Sequence, residues 1–75
     1  MANSQSELGN KLRDLRSKKN YTQAELAALV GVSRKTINTV ENRVFIPSTL
    51  LALKLAKALE TKVEALFYLE EDEQT

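Results

Sequence analysis

The stretch from Thr22 to Asn42, TQAELAALVGVSRKTINTVEN, reads as two short capped helices joined by a glycine turn. Thr22 followed three residues later by Glu25 has the spacing of a capping box, in which the hydroxyl accepts from a first-turn amide while the carboxylate reaches back to the cap amide. A helix is therefore predicted to start at Gln23. Leu26, Ala27 and Val30 give it an apolar face, and Gly31 is placed to take the left-handed conformation that ends a helix and turns the chain. Ser33 then caps the next helix, because its oxygen can satisfy an orphan amide near Thr36. Only Gly31 and Val32 separate the two helices.

The outer face of the second helix, spanning about 33–42, is the functional clue. At about 100° per residue, Thr36, Ile37 and Val40 point inward, whereas Arg34, Lys35, Asn38, Thr39 and Asn42 fan across the opposite side. That side carries donors, amides and a hydroxyl, and no carboxylate. A major groove of B-DNA admits one helix, and its base edges are read by these side chains: Arg or Lys on guanine, Asn on adenine, a Thr methyl on thymine. A lone polar helix face is more often merely solvated. The preceding cap, the glycine turn and the flanking basic residues together favour a helix-turn-helix DNA reader.

Charge supports that reading once it is divided along the chain. The net charge of +1 hides two unlike parts, because residues 1–62 hold all 11 Lys and Arg against five carboxylates, and residues 63–75 hold five carboxylates and no cation. A basic body of +6 and an acidic end of −5 are expected if the body meets phosphate while the end points away. An acidic end is also a common solubilising tail. With neither cysteine nor histidine there is no disulfide framework, no thiolate or imidazole for a structural zinc, and no Cys-His or Ser-His nucleophilic pair. No cofactor, metal or small-molecule ligand is expected. No apolar run approaches the roughly 20 residues of a membrane span, and the start lacks the regions of a signal peptide, so the expectation is a cytoplasmic protein with no membrane partner.

Seventy-five residues suffice for one domain, with a core small enough that oligomerisation is a common source of extra stability. Residues 1–6 are polar and expected to be frayed, 7–69 form the domain, and 70–75 form the acidic tail. Leu8, Leu12 and Leu15 set the buried stripe of a first helix, whose basic C-terminal end carries Arg13, Arg16, Lys18 and Lys19. Asn20 and Tyr21 form a turn. After the second helix of the pair, Asn42 to Ile46 form a loop, Pro47 blocks helical continuation, and Ser48 caps a fourth helix running to about Leu59. Thr61 and Glu64 repeat the capping-box spacing and start a short fifth helix that carries Val63, Leu66 and Phe67 inward and ends in Tyr68 and Leu69. No alternating run is long enough to require a sheet. The fold class is all-α, five helices around one core.

The run TQAELA…GVSRKTIN…EN, followed by Pro47-Ser48 and by ALKLA from Ala52 to Ala56, resembles the phage-repressor class of helix-turn-helix regulators, the Cro and C1 type. Within it, the chain resembles the minimal single-domain bacterial members typified by the cytolysin repressor. The resemblance covers about Leu8 to Leu69. It departs at Arg43, Val44, Phe45 and Ile46, where relatives usually carry a glycine and a more polar loop.

The resemblance implies roles position by position. Arg34, Lys35 and Thr39 fall where relatives touch bases, with Ser33 and Asn38 as secondary candidates. Gln23 falls where relatives hydrogen-bond a phosphate, and Asn42 and Arg43 fall on the other flank; these position the helix rather than read sequence. The plainer reading of Gln23 is a first-turn helix residue. Relatives join the equivalents of Arg16 and Glu41 in a partly buried ion pair, which would make Glu41 a fold residue; the alternative is an acidic residue that tunes DNA specificity.

On the fourth helix, Leu51, Ala52, Leu55, Ala56 and Leu59 supply a full inward face, which leaves Leu50 and Leu53 on the side of Lys54 and Lys57. With Phe67, Tyr68 and Leu69 they form a candidate homodimer patch, although scattered surface leucines are normal. The functional expectation is a double-stranded-DNA-binding transcriptional regulator, most simply a repressor bound to an inverted-repeat operator as a homodimer. The alternative is an antitoxin or other protein-binding module on the same scaffold. Enzyme activity is not expected, since no glycine-rich phosphate loop appears and no base is paired with a nucleophile.

Overall fold

Local capping chemistry places most of the helices. The computed structural model describes residues 7–70, so the polar segment 1–6 and the acidic residues 71–75 lie outside the described residues. Thr22 and Glu25 make the reciprocal capping box, with Glu25 N donating to Thr22 Oγ1 at 3.0 Å and Thr22 N donating to Glu25 Oε1 at 2.8 Å. The helix so started, α2, spans Gln23–Val30 and ends at Gly31, whose φ of 77° is the left-handed conformation that a glycine takes without a Cβ penalty. Ser33 caps α3 (Arg34–Glu41) by accepting from Thr36 N at 3.1 Å, and Ser48 caps α4 (Thr49–Ala58) by accepting from Leu51 N at 3.1 Å.

The two ends of the chain depart from the sequence expectation. Leu8 does not join the first helix, which spans Leu12–Lys18 (α1); Leu8–Asn10 is instead a strand, β1. Asn10 makes the break, its Oδ1 accepting from Leu12 N at 3.0 Å in place of a helical carbonyl. The spacing of Thr61 and Glu64 does not cap the fifth helix either. That helix, α5, is one turn, Val63–Leu66, with Lys62 at its N-cap and no side-chain cap bond. Phe67, Tyr68 and Leu69 then leave the helix and form β2, antiparallel to β1 with Leu8 opposite Leu69, Gly9 opposite Tyr68 and Asn10 opposite Phe67. Gly9 leaves room for the Tyr68 ring to lie across β1, because a Cβ there would lie 2.5 Å from that ring. The ring also lies 6.0 Å from the Lys11 ammonium.

Among the described residues five helices thus carry the fold, with a two-stranded ladder tying Leu8–Asn10 to Phe67–Leu69. The core is the meeting of their apolar faces: Leu12, Leu26, Ile37, Val40, Leu55 and Leu66 are wholly buried. Leu15, Tyr21, Val63 and Phe67 pack around them at partial exposure. At roughly 1.5–3 kcal/mol per buried large apolar side chain, this cluster holds α2 and α3 at a fixed angle, with Ile37 and Val40 anchoring the inner face of α3. None of the helices among the described residues is long and apolar enough to cross a membrane.

Candidate nucleic-acid interface

Because Ile37 and Val40 are locked into the core, the opposite side of α3 faces solvent. Arg34 and Lys35 are exposed at its first turn, next to the exposed cap Ser33, while Asn38 and Thr39 are half-buried on the next turn and Asn42 is exposed at the C-cap. The predicted base-facing residues therefore do share one end and side of the helix. Their polar atoms are not equally available. Ser33 Oγ is occupied by the cap and by Thr36 Oγ1 at 3.0 Å, and Thr39 Oγ1 donates to the Thr36 carbonyl at 3.0 Å. Asn38 Oδ1 accepts from Asn42 Nδ2 at 3.2 Å, so these two amides are oriented along one edge.

The one carboxylate of α3 is removed from that face. The Glu41 side chain is fully buried, and its oxygens accept from Arg16 Nε at 2.6 Å, Arg16 Nη2 at 3.4 Å, Gln23 Nε2 at 3.0 Å and Arg13 Nε at 3.5 Å. Arg16 is held from its other side by the Tyr21 carbonyl at 2.9 Å. Burial pushes the Glu41 carboxyl up, but the Arg16 and Gln23 hydrogen bonds, the Arg16 charge and the Arg13 hydrogen bond outweigh it and hold the group below the ordinary carboxylate range. The Arg16–Glu41 pair is thus present, and it is shared by three elements, α1, α2 and α3.

Two residues of this network were not foreseen in these roles. Gln23 connects the buried carboxylate to the outer face, giving its Nε2 to Glu41 and accepting from Arg34 Nη1 at 3.3 Å through Oε1. Its side chain thereby orients Arg34, which sequence spacing alone does not reveal across 11 residues. Arg13 reaches Glu41 and also Asn42, donating from Nη2 to Oδ1 at 3.2 Å. Its position three residues before Arg16 places both guanidinium groups on one side of α1, the available signal in the sequence.

The loop after α3 folds back on it. Arg43 has φ 65°, the left-handed conformation usually given to glycine, and the amides of Val44 and Phe45 both donate to the Thr39 carbonyl, at 2.9 and 3.2 Å. The Arg43 guanidinium is paired in turn with the carboxylate of Glu70, which is the first residue of the acidic tail. Leu50 and Leu53 project from α4 into solvent at 63% and 54% exposure, and Leu69 is exposed on β2.

The Helix-turn-helix family model matches residues 12–66. The HTH-type transcriptional regulator YgzD of Bacillus subtilis is 44% identical over 63 residues, 84% of this chain and 96% of that protein. Among solved structures, the restriction-modification controller protein C.AhdI from Aeromonas hydrophila has a TM-score of 0.69 at 37% identity, over 72% of this chain and 78% of that one. The P22 c2 repressor protein in complex with a synthetic operator has a TM-score of 0.70 at 33% identity, over 72% and 82% respectively. Fold, capped helix pair and relatives agree, and the chain belongs to the helix-turn-helix family of Cro/C1 type, DNA-binding transcriptional regulators rather than enzymes.

Proposed function

We propose that this regulator is a repressor that binds an inverted-repeat operator as a homodimer, with α3 in the major groove. The observation that carries the reading is the charge of α3: Arg34 and Lys35 stand exposed at its first turn while its single carboxylate, Glu41, is buried against Arg16. A helix so arranged meets the negative groove with no opposing charge of its own. In this reading Arg34, Lys35 and Thr39 contact bases, with Asn38 and Ser33 beside them. Gln23, Asn42 and Arg43 serve the phosphates, Gln23 through the backbone at the start of α2 because its side chain already links Arg34 to Glu41.

Dimerisation is supported by the apolar side chains left in water. Leu50, Leu53 and Leu69 are exposed, Tyr68 is partly so, and Phe67, in β2 with Tyr68 and Leu69, is half-buried. One domain of this size reads a few base pairs, whereas a twofold dimer reads two half-sites about 34 Å apart and gains specificity. Repression needs no further part, since an occupied operator excludes polymerase. Its place of work is the cytoplasm, on the nucleoid when bound.

The test is selection of duplexes from a random pool, followed by titration with salt and measurement of mass in solution. We expect an inverted repeat, an affinity that falls steeply with salt as counterions are released at roughly 0.9 per neutralised phosphate, and twice the chain's mass. Arg34→Ala should relax preference at one operator position and cost about 1–3 kcal/mol, whereas Arg43→Ala should weaken all sequences alike. A flat salt response overturns the DNA reading, and one chain's mass in both free and bound forms overturns the dimer.

A further inference from the structure

Alongside the outer face of α3 lies a shallow depression lined by Ser33, Lys35, Thr36, Thr39, Val44 and Phe45. Four of these residues belong to α3 and its cap, so the depression is continuous with the surface that the reading above sends into the groove. The chemistry of its wall is the notable point. Thr39 Oγ1 donates to the Thr36 carbonyl and Thr36 Oγ1 pairs with Ser33 Oγ, each at 3.0 Å. Both hydroxyls are hydrogen-bonded within the helix and its cap, and each threonine also has a methyl to offer a ligand.

The loop adds more carbon. Val44 and Phe45 are 76% and 47% exposed and take no part in the buried core, so their apolar surface faces water in this chain by itself. They are nonetheless held in place, because both backbone amides donate to the Thr39 carbonyl and the left-handed Arg43 turns the chain back toward α3. No carboxylate lines the depression, and the exposed Lys35 brings a positive charge to its lining. An apolar hollow with a lysine in its lining and no carboxylate fits a DNA edge better than it fits a purely apolar partner helix.

A base pair offers one apolar group to the major groove, the C5-methyl of thymine. We propose that this depression reads thymine through that methyl, with Val44 and Phe45 of the loop acting as specificity-determining residues beside Thr36 and Thr39 of α3. The inference rests on the DNA reading above and extends base recognition beyond the recognition helix. Its physical basis is desolvation: the methyl and the valine and phenylalanine surfaces leave water together, whereas a cytosine at the same place has no methyl to bury and sets an amino group against those apolar surfaces.

The experiment uses a duplex that the chain selects from random DNA, with each thymine replaced in turn by deoxyuracil, which deletes the methyl and keeps every base-pairing atom. At least one replacement should weaken binding about fourfold, the factor expected for one methyl-sized group removed from apolar contact. In the Val44→Ala, Phe45→Ala double variant the thymine and deoxyuracil duplexes should bind alike, while affinity for unrelated DNA and the thermal melt stay near those of the unchanged chain. Deoxyuracil binding as well as thymine at every position overturns the proposal. So does a double variant that loses affinity for both duplexes equally, which would place the loop on the sugar-phosphate backbone, or one whose mass in solution falls, which would place it between two copies of the chain. A chain that selects no sequence at all would overturn the DNA reading and this inference together, whereas selection without a methyl-sensitive thymine overturns this inference alone.

Discussion

Replacing Glu41 by glutamine tests the central joint of the structure. The carboxylate is fully buried and accepts from Arg16 twice, from Gln23 and from Arg13, and the Arg16 side chain is itself only 15% exposed. A glutamine keeps one acceptor oxygen and turns two N–H donors toward a cluster made of donors, so some of Arg16, Arg13 and Gln23 lose their acceptor. Breaking a buried pair from one side costs roughly 3–5 kcal/mol because a charge is stranded. Arg16 keeps the Tyr21 carbonyl at 2.9 Å and some contact with water, which places the expected loss at the lower end, about 3 kcal/mol. At about 4–8 °C per kcal/mol for a domain of this size, the melting temperature should fall by roughly 12–24 °C.

The pH dependence separates this account from a packing defect. Glu41 titrates below the ordinary range in the folded chain, so the unfolded chain binds more protons as acid is added. The stability it contributes is complete above the unfolded carboxylate value of about 4.3 and is lost as pH falls through the depressed folded value. The glutamine variant has no such loss to suffer at this position. The stability gap between the two proteins should therefore be wide at pH 7 and shrink progressively as pH falls below about 4. Urea melts followed by circular dichroism across that range measure it. A gap under about 1 kcal/mol, or one that does not change with pH, would falsify the buried-pair account and favour an exposed residue that acts on DNA. Combining Arg16→Met with Glu41→Leu gives the companion control, since an apolar pair should be less destabilised than either single change.

Two further outcomes follow from backbone and tail. Glu60 has φ 56° just beyond the end of α4, a conformation costly to a side chain and free to glycine, so Glu60→Gly should raise the melting temperature by about 4 °C despite loss of the exposed contact with Lys19; a fall on thermal melting refutes it. Glu70 occupies the guanidinium of Arg43, a proposed phosphate contact, so Glu70→Gln should strengthen DNA binding about twofold to fivefold at low salt and less at high salt. Unchanged affinity across the salt series would mean that Arg43 does not meet phosphate.

Amino-acid order by itself determined the paired helices and their face. Thr22 with Glu25, Gly31, Ser33 and Ser48 act over three or four residues, through cap bonds and a left-handed turn whose partners are neighbours in the chain, although the same spacing at Thr61 and Glu64 makes no cap. The 3.6-residue period of Leu26, Val30, Ile37 and Val40 likewise identifies the core side, and so the outward side of Arg34 and Lys35. What required tertiary structure was whatever joins residues distant in the chain. The ladder of Leu8–Asn10 with Phe67–Leu69 spans nearly the whole sequence in two three-residue strands, too short to carry an alternation signal, and it takes Leu8 and Phe67 from helices into strands. Gln23 as the bridge from Glu41 to Arg34, and Glu70 as the partner of Arg43, depend on the angle between packed helices and on where the last strand ends. Capping and periodicity are local and legible because their energy lies within a single turn; the network around Glu41 exists only once burial of Leu12, Leu26 and Ile37 has brought three helices together.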